Sequence, residues 1–431
     1  MKRTQKSYII KNISLFKQQM LQWVQPFREV VFLDSNNHKA KYTSFDAVLA
    51  FDAFTLIQTD EFNAFEKLKE YQGQINDYLF GYLSYDLKND TENIHSLNND
   101  HLNFPDLFFF QPKKLIFLKD SEVVFSYLGL CDDEMDLDFE KINNQEIITE
   151  SKKMELVINE RVSYQDYQKG FEKIQHYIHR GDIYEMNYCM EFYADNAIIN
   201  PLQTYNELNI ISEPPFACFG KFNHQYVISA SPERYIKKQG LKIISQPIKG
   251  TAKRGSNEEE DFKLKESLAK NKKEQAENVM IVDLVRNDLS KTATKASVSV
   301  EELFGVYSFK QVHQMISTVT STISIATNVV DVIKSTFPMG SMTGAPKLSA
   351  MKIIEEVENS KRGLYSGAVG YFTPDNDFDF NVVIRSILYN SESNYLSFSV
   401  GSAITAKANA IDEYNECLLK ADAMKKVVSK C

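Results

Sequence analysis

The sequence has no uninterrupted apolar stretch approaching the roughly 18 residues that a membrane-spanning helix requires. Its basic start, Met1-Lys-Arg-Thr-Gln-Lys-Ser7, leads into no apolar segment of the kind a secretion signal carries. It has no CxxC pair: five cysteines, Cys131, Cys189, Cys218, Cys417 and Cys431, are scattered and odd in number. That pattern argues against a disulfide framework and against a zinc site, and it points to a reducing cytoplasm. Basic residues are in deficit, 49 against 58 acidic ones, for a formal net charge of -9. A general nucleic-acid or polyanion binder is therefore not expected, and an anionic substrate would need local help from cations or helix N-termini. No internal repeat is visible. A nucleotide-binding P-loop is missing too. The nearest candidate, Gly340-Ser341-Met342-Thr343-Gly344-Ala345-Pro346-Lys347, places its lysine three residues past Gly344 and follows it with Leu348.

What is present is a chain of 431 residues, 43% hydrophobic, which is enough for a sizeable core in one large body or in two or three domains. Residues 1–130 carry short apolar runs at 30–33, 78–82, 107–110 and 123–125, set off by turn residues, and read as strands with a few helices. Residues 131–160 turn polar and acidic and read as a surface connection. Residues 161–431 carry the chemical motifs, and the two parts are expected to form one compact body. There, Tyr167, Phe171, Ile174 and Ile178 recur at helical spacing, with Ser163 as N-cap and Gly181 as stop. Residues 183–193 alternate like a strand, and 256–275 are highly charged and exposed. Helices are expected at about 346–357, with Pro346 in the first turn, and at about 411–428.

The segment with most chemistry is Gln246-Pro247-Ile248-Lys249-Gly250-Thr251, a lysine in a short turn after an apolar run. Ser231-Pro232-Glu233-Arg234 precedes it. A strand-borne amine near a carboxylic acid suits a mechanism that combines a covalent step with acid catalysis. Two acidic pairs, Glu274 with Glu277 and Glu413 with Glu416, are each spaced i, i+3 and so share a helical face. Facing one another they would offer hard oxygens to Mg²⁺; left apart they are solvated surface, the commoner outcome of such spacing. The small residues of Gly340 to Lys347 open a helix and suit an anion, or form an ordinary loop and cap. His313, Tyr365 and Arg385 are polar residues in apolar surroundings. A buried arginine of this kind pairs with an acid or binds a carboxylate, whereas a lone histidine is more often a satisfied core residue.

Taken together and in this order, these motifs resemble the chorismate-utilising enzymes, from about Tyr164 to Lys426. The resemblance rests on Gly181-Asp-Ile-Tyr-Glu-Met-Asn187, Ser231 to Arg234, Pro247 to Thr251, Glu277-Asn-Val-Met-Ile-Val-Asp-Leu-Val-Arg-Asn-Asp288, His313, Gly340 to Lys347, Arg362-Gly-Leu-Tyr-Ser-Gly367, Arg385, Gly401 and Glu413-Tyr-Asn-Glu416 with Lys420. The N-terminal part matches more loosely; Val31-Phe-Leu-Asp-Ser35 resembles a family strand beside a regulatory tryptophan pocket. The resemblance implies an α+β fold of large antiparallel sheets packed together with helices outside. It implies Mg²⁺ on Glu277 and Glu416, with Glu274 and Glu413 nearby through water. It further implies that Tyr365, Arg385, Lys420 and the Gly401 backbone hold the carboxylates of chorismate, that Thr251, His313 and Ser341 line its ring, and that Glu233 protonates the departing C4 hydroxyl.

Within the family, Lys249 distinguishes the branches. The anthranilate branch normally has alanine in this turn. The aminodeoxychorismate branch has lysine, which is thought to attack C2 of the ring before ammonia adds at C4. The resemblance thus implies synthesis of 4-amino-4-deoxychorismate for 4-aminobenzoate and folate, with the anthranilate reaction as the alternative. No length is left over for a glutaminase domain, so a separate glutamine amidotransferase subunit is expected to supply ammonia. Two positions depart from the family pattern. Glu185 stands where the amidated branches usually have glutamine, and an acid there can bind ammonium or tune the lysine. Ser402 and Ala403 put side chains into a loop that is usually a run of glycines.

Overall fold

The structure is a computed structural model that describes residues 2–39, 41–148 and 156–429. Its strands pair antiparallel and form two limbs that share the long strand Leu107–Lys119. One limb runs from Arg3–Ile9 through Glu122–Leu128, Leu107–Lys119, Ala47–Thr59, Glu29–Asp34, Phe216–Phe222 and Gln225–Ser231. It continues through Ser386–Asn390 and Tyr395–Thr405 to Glu185–Ala194. The other limb leaves the first half of Leu107–Lys119 through Leu79–Leu83, Ala368–Phe372, Phe378–Asn381, Arg234–Gln239 and Lys242–Gln246 to Val312–Thr322. Val312–Thr322 pairs on its far edge with Ser299–Ser308, and its first half also pairs with Ile248–Lys253.

The strand period of two builds the core. On Glu29–Asp34, Val30 and Phe32 enter one apolar cluster and Val31 enters the other. The first cluster lies between the first limb and the helices Tyr164–Arg180, Pro201–Ser212, Lys347–Val357 and Ala410–Val428. The second lies between the limbs and is closed by Lys272–Ser290 and Val329–Thr336. Tyr164–Arg180 shows why these helices form. The Ser163 side chain accepts the Asp166 amide at 3.2 Å, Gly181 stops the helix at φ 88°, and Tyr167, Phe171, Ile174 and Ile178 are buried along one face. Each of those side chains contributes about 1.5–3 kcal/mol by leaving water.

The charged stretch 256–275 is helical from Glu258 on, and holds the whole of Glu258–Lys270 and the start of Lys272–Ser290. The segment 131–160 is more than a surface connection. Met135, Phe139 and Ile142 recur at helical spacing, and the helix Met135–Asn143 buries Met135 and Ile142 and brings Asp138 to 2.6 Å from Lys114. Residues 149–155 of that segment, and Cys431, lie outside the described residues. The N-terminal and C-terminal parts share sheets, since Glu29–Asp34 pairs with Phe216–Phe222 and Leu79–Leu83 with Ala368–Phe372.

Candidate active site

A cavity of about 860 Å³ opens where Ile248–Lys253 of one limb meets Glu185–Ala194 and Tyr395–Thr405 of the other, beneath the helices Lys272–Ser290 and Ala410–Val428. It has the size of a small-molecule site. Strand alternation turns Lys249, Thr251 and Lys253 toward it. Lys249 Nζ lies 2.7 Å from Glu185 Oε1, and the two side chains are 14% and 2% exposed. The partner of the lysine is thus Glu185, contributed by the opposite limb. Burial pulls the Lys249 pKa down, but Glu185, Glu277 and Glu416 together push it above the ordinary lysine value.

Glu233 borders the same cavity and is 4% exposed. Burial raises its pKa to about 7, against the opposing pull of a Ser341 hydrogen bond, the Ile248 backbone and the Lys249 charge. A large fraction of Glu233 is therefore protonated at neutral pH, as a general acid requires. The sequence before Glu233 sets its place. The Ser231 hydroxyl donates to the Val382 carbonyl at 2.6 Å, and the Val382 amide donates to the Glu233 carbonyl at 3.0 Å.

The two acidic pairs come from different helices, and all four carboxylates border the cavity. Burial raises the Glu277 pKa to about 7, with Glu185 and Glu274 adding to it and Lys249 and Lys273 opposing. Glu274 is raised by burial and by Glu416, and Glu413 by burial and by Glu416. Glu416 is also pushed up by burial, but Lys420, Lys249 and Lys273 bring it below its ordinary value. Lys420 Nζ is 2.7 Å from Glu416, and Lys273 is 3.8 Å from Glu277. Among the described residues, no three metal-binding side chains converge tightly enough to hold an ion as they stand. The donor set is nonetheless all carboxylate oxygen, and its mutual repulsion is what a divalent cation would relieve, so the residues fit Mg²⁺ in kind.

The groups assigned to the substrate carboxylates border the same cavity, with Lys420 on the helix that carries Glu413 and Glu416. Arg385 has a positive φ of 53°, and its Nη1 donates to the Lys420 carbonyl at 3.2 Å. Among the described residues it has no carboxylate partner, so its guanidinium is free for a bidentate contact. Burial lowers its pKa against the pull of Tyr365 and Glu416. Tyr365 is buried beside Cys189, its hydroxyl 3.7 Å from Sγ. Lys420 donates to the Gly401 carbonyl at 2.7 Å. A Cβ at Gly401 would lie 2.6 Å from Cys189 Sγ and 3.0 Å from Asn187 Oδ1, so the close approach of strands requires glycine there. Of the two departures in this loop, Ala403 faces the cavity, but Ser402 points away and meets the Tyr167 hydroxyl at 3.1 Å.

Ser341 and Thr251 border the cavity, and His313 does not. Its ring is fully buried between Ser308 Oγ and Asp261 Oδ1, each at 2.9 Å. Lys347 also turns away, bonded to Asp288 and to the carbonyls of Thr336 and Pro338. It fastens the loop that presents Ser341. Arg362 holds the other side of that loop, donating to the Met342 and Asn187 carbonyls at 2.6 and 3.0 Å while paired with Glu358. The cavity adds cations that the motifs did not single out: Lys253, Arg254, Lys273 and Lys426. For Lys253 the signal was available, in its alternation with Lys249 and Thr251. Residues 33–35 border a separate cavity of about 70 Å³, with Arg234 and Asp379.

A family model described as chorismate binding enzyme matches residues 28–426. A protein of Oryza sativa subsp. japonica named probable aminodeoxychorismate synthase, chloroplastic, is 40% identical over 273 residues, covering 62% of this chain and 30% of that protein. Aminodeoxychorismate synthase component 1 of Bacillus subtilis (strain 168) is 30% identical over 360 residues, 81% of this chain and 76% of its own length. Among solved structures, anthranilate synthase component I from Streptococcus pneumoniae TIGR4 matches with a TM-score of 0.79 at 24% identity, covering 90% of this chain and 94% of that one. That likeness shows the fold. The chain spans only 30% of the length of the rice relative.

Proposed function

This chain belongs to the chorismate binding enzyme family, and from that premise we propose that it aminates chorismate at C4. The product is 4-amino-4-deoxychorismate, for 4-aminobenzoate and folate synthesis. The observation that carries the reading is that Lys249 and Glu233 line one cavity, near enough for the Lys249 charge to act on Glu233. The names of the rice and Bacillus relatives support it.

Arg385, Tyr365, Lys420 and the Gly401 backbone hold the two carboxylates and so fix the ring, with Thr251 and Ser341 along it. The neutral amine of Lys249 forms a bond to C2. The two ring double bonds each move one position, and the C4–O bond breaks as Glu233 gives its proton, so that water leaves. Ammonia then adds at C4, the double bonds return, and the C2–N bond breaks with its electrons going back to Nζ. Glu277 and Glu416 would hold Mg²⁺, with Glu274 and Glu413 nearby on the same cavity, and the ion would supply positive charge for the substrate carboxylate and offset the acidic helices.

Ammonia comes from a separate glutamine amidotransferase subunit; the "component 1" in the Bacillus relative's name supports a two-part enzyme. A pyridoxal-phosphate lyase consumes the product. No helix among the described residues is long and apolar enough to cross a membrane. The described cysteines are free and buried, which supports a reducing compartment such as the cytoplasm.

Lys249→Ala is expected to abolish any mass adduct between chain and ring and to slow turnover, with anthranilate appearing among the products. Unchanged kinetics in this variant would remove Lys249 from the mechanism.

A further inference from the structure

The covalent step requires Lys249 to be neutral when it attacks, yet its surroundings hold a proton on it. Burial alone would release that proton, and the first of the charges that oppose this is Glu185 in contact, ahead of Glu277 and Glu416, whose charge bound Mg²⁺ would offset. Glu274 and Glu233 also face the lysine electrostatically. A dianionic substrate adds charge of the same sign. The proton therefore needs an acceptor inside the site.

Glu185 is placed for that role. It opens the strand Glu185–Ala194, is 2% exposed, and its Oε1 is 2.7 Å from Nζ. Its other oxygen, Oε2, is buried with no hydrogen-bond partner among the described residues. A carboxylate that serves only as a counter-ion is normally bonded at both oxygens, because a buried, half-satisfied charge is costly. Glutamine at this position could accept the same hydrogen bond but could not keep the proton.

We propose that Glu185 is the internal base that takes the proton of Lys249 and so releases it as the nucleophile, an inference that rests on the covalent reading of Lys249 above. The Nζ–H bond breaks and an O–H bond forms at Glu185 Oε1. The freed lone pair makes the C2–N bond while Glu233 protonates the departing hydroxyl. When ammonia has added at C4 and the C2–N bond breaks, Nζ recovers its proton from Glu185. The proton shed by the new C4 ammonium returns to Glu233, which restores both acids. Glu185 acts through Lys249 and does not itself touch the ring, so it is a positioning and proton-accepting residue.

The test is the rate at which the adduct at Lys249 forms, followed by quenched-flow intact mass with chorismate and Mg²⁺ but no ammonium, across pH 6 to 9. Dividing each Glu185→Gln rate by the wild-type rate at the same pH cancels the titration of Glu233. The expected ratio is about one hundredth at neutral pH. It should climb roughly tenfold per pH unit as solvent replaces the missing base. Glu185→Asp keeps an acceptor and is expected to give a ratio that is flat with pH. An equal or faster Glu185→Gln rate at neutral pH would make Glu185 a counter-ion that merely traps the ammonium, and would overturn the proposal. So would a Glu185→Gln ratio that is low but constant with pH, or a Glu185→Asp ratio with the same slope as Glu185→Gln. Absence of any adduct in the wild type at every pH sinks the Lys249 reading itself, and the role of Glu185 with it, which is a separate and recognisable result.

Discussion

In the proposed reaction Glu233 must hold its proton and Lys249 must lack one at the moment of attack, and their surroundings decide how that is met. With the Glu233 pKa raised to about 7 by burial, its acid form is depleted above that pH. The kcat/KM for chorismate is therefore expected to fall as pH rises past about 7, approaching tenfold per unit. Glu233→Gln should lower the cleavage rate by about 10²–10⁴-fold and remove that alkaline fall. A variant that keeps the wild-type pH profile would show that the falling limb belongs to another group. Lys249 and Glu233 were legible in the sequence because each sits in a short motif, Pro247 to Thr251 and Ser231 to Arg234, although Lys249 lies on the strand Ile248–Lys253 and not in the expected turn. The contact between Lys249 and Glu185 was not, because it joins strands of different limbs and no local spacing encodes it. His313 shows a different limit. Val312 and Gln314 border the cavity, so alternation sends the histidine between them to the other face of the strand. Its apolar flanks were visible, but the hydrogen bonds that satisfy it, to Ser308 and Asp261, come from elsewhere in the chain.

At the scale of elements, the site is made by two helices that bring like charges together over a strand that presents a lysine. The i, i+3 spacing of Glu274 with Glu277 and of Glu413 with Glu416 could be read directly. That the two helices face one cavity could not, since it depends on how the limbs curve toward each other. Glu277→Gln is expected to shift the Mg²⁺ titration of activity to higher concentration. An identical titration would take Glu277 out of the ligand set. The neighbouring strand is packed to its limit at Gly401. Gly401→Ala forces its methyl group to within 2.6 Å of Cys189 Sγ, and is expected to cost about 1–3 kcal/mol of stability in denaturant unfolding. If Gly401→Ala unfolds at the wild-type midpoint, the strand has room that the structure does not give it. Helix Met135–Asn143 was hidden from composition, because its charged residues mask a short apolar stripe.

At the scale of the whole molecule, the net charge of -9 leaves room for the proposed anion site because the cavity draws together Lys249, Lys253, Arg254, Lys273, Arg385, Lys420 and Lys426. The antiparallel, strand-rich character of the N-terminal part could be read from its runs. The sharing of sheets between distant segments could not, because pairing partners lie far apart in sequence. The acids of the site also leave a mark on global stability. Glu233 and Glu277 both have pKa values raised to about 7 by burial, so the folded chain holds more protons than the unfolded one between the ordinary carboxylate value and about 7. Their stabilising contribution is complete below the ordinary value and is lost as pH rises through about 7. The metal-free melting temperature is thus expected to decline across that window, and to decline less in Glu233→Gln with Glu277→Gln. A melting profile that the double substitution leaves unaltered would place those pKa values elsewhere.

Free ammonium should support turnover of this chain alone, and product identity then tests the account most directly. Purified chain would be incubated with chorismate, Mg²⁺ and ammonium at alkaline pH and the products separated by liquid chromatography with mass spectrometry. The account predicts 4-amino-4-deoxychorismate, converted to 4-aminobenzoate when the lyase is added. Anthranilate with release of pyruvate would contradict it and would make Lys249 a bystander.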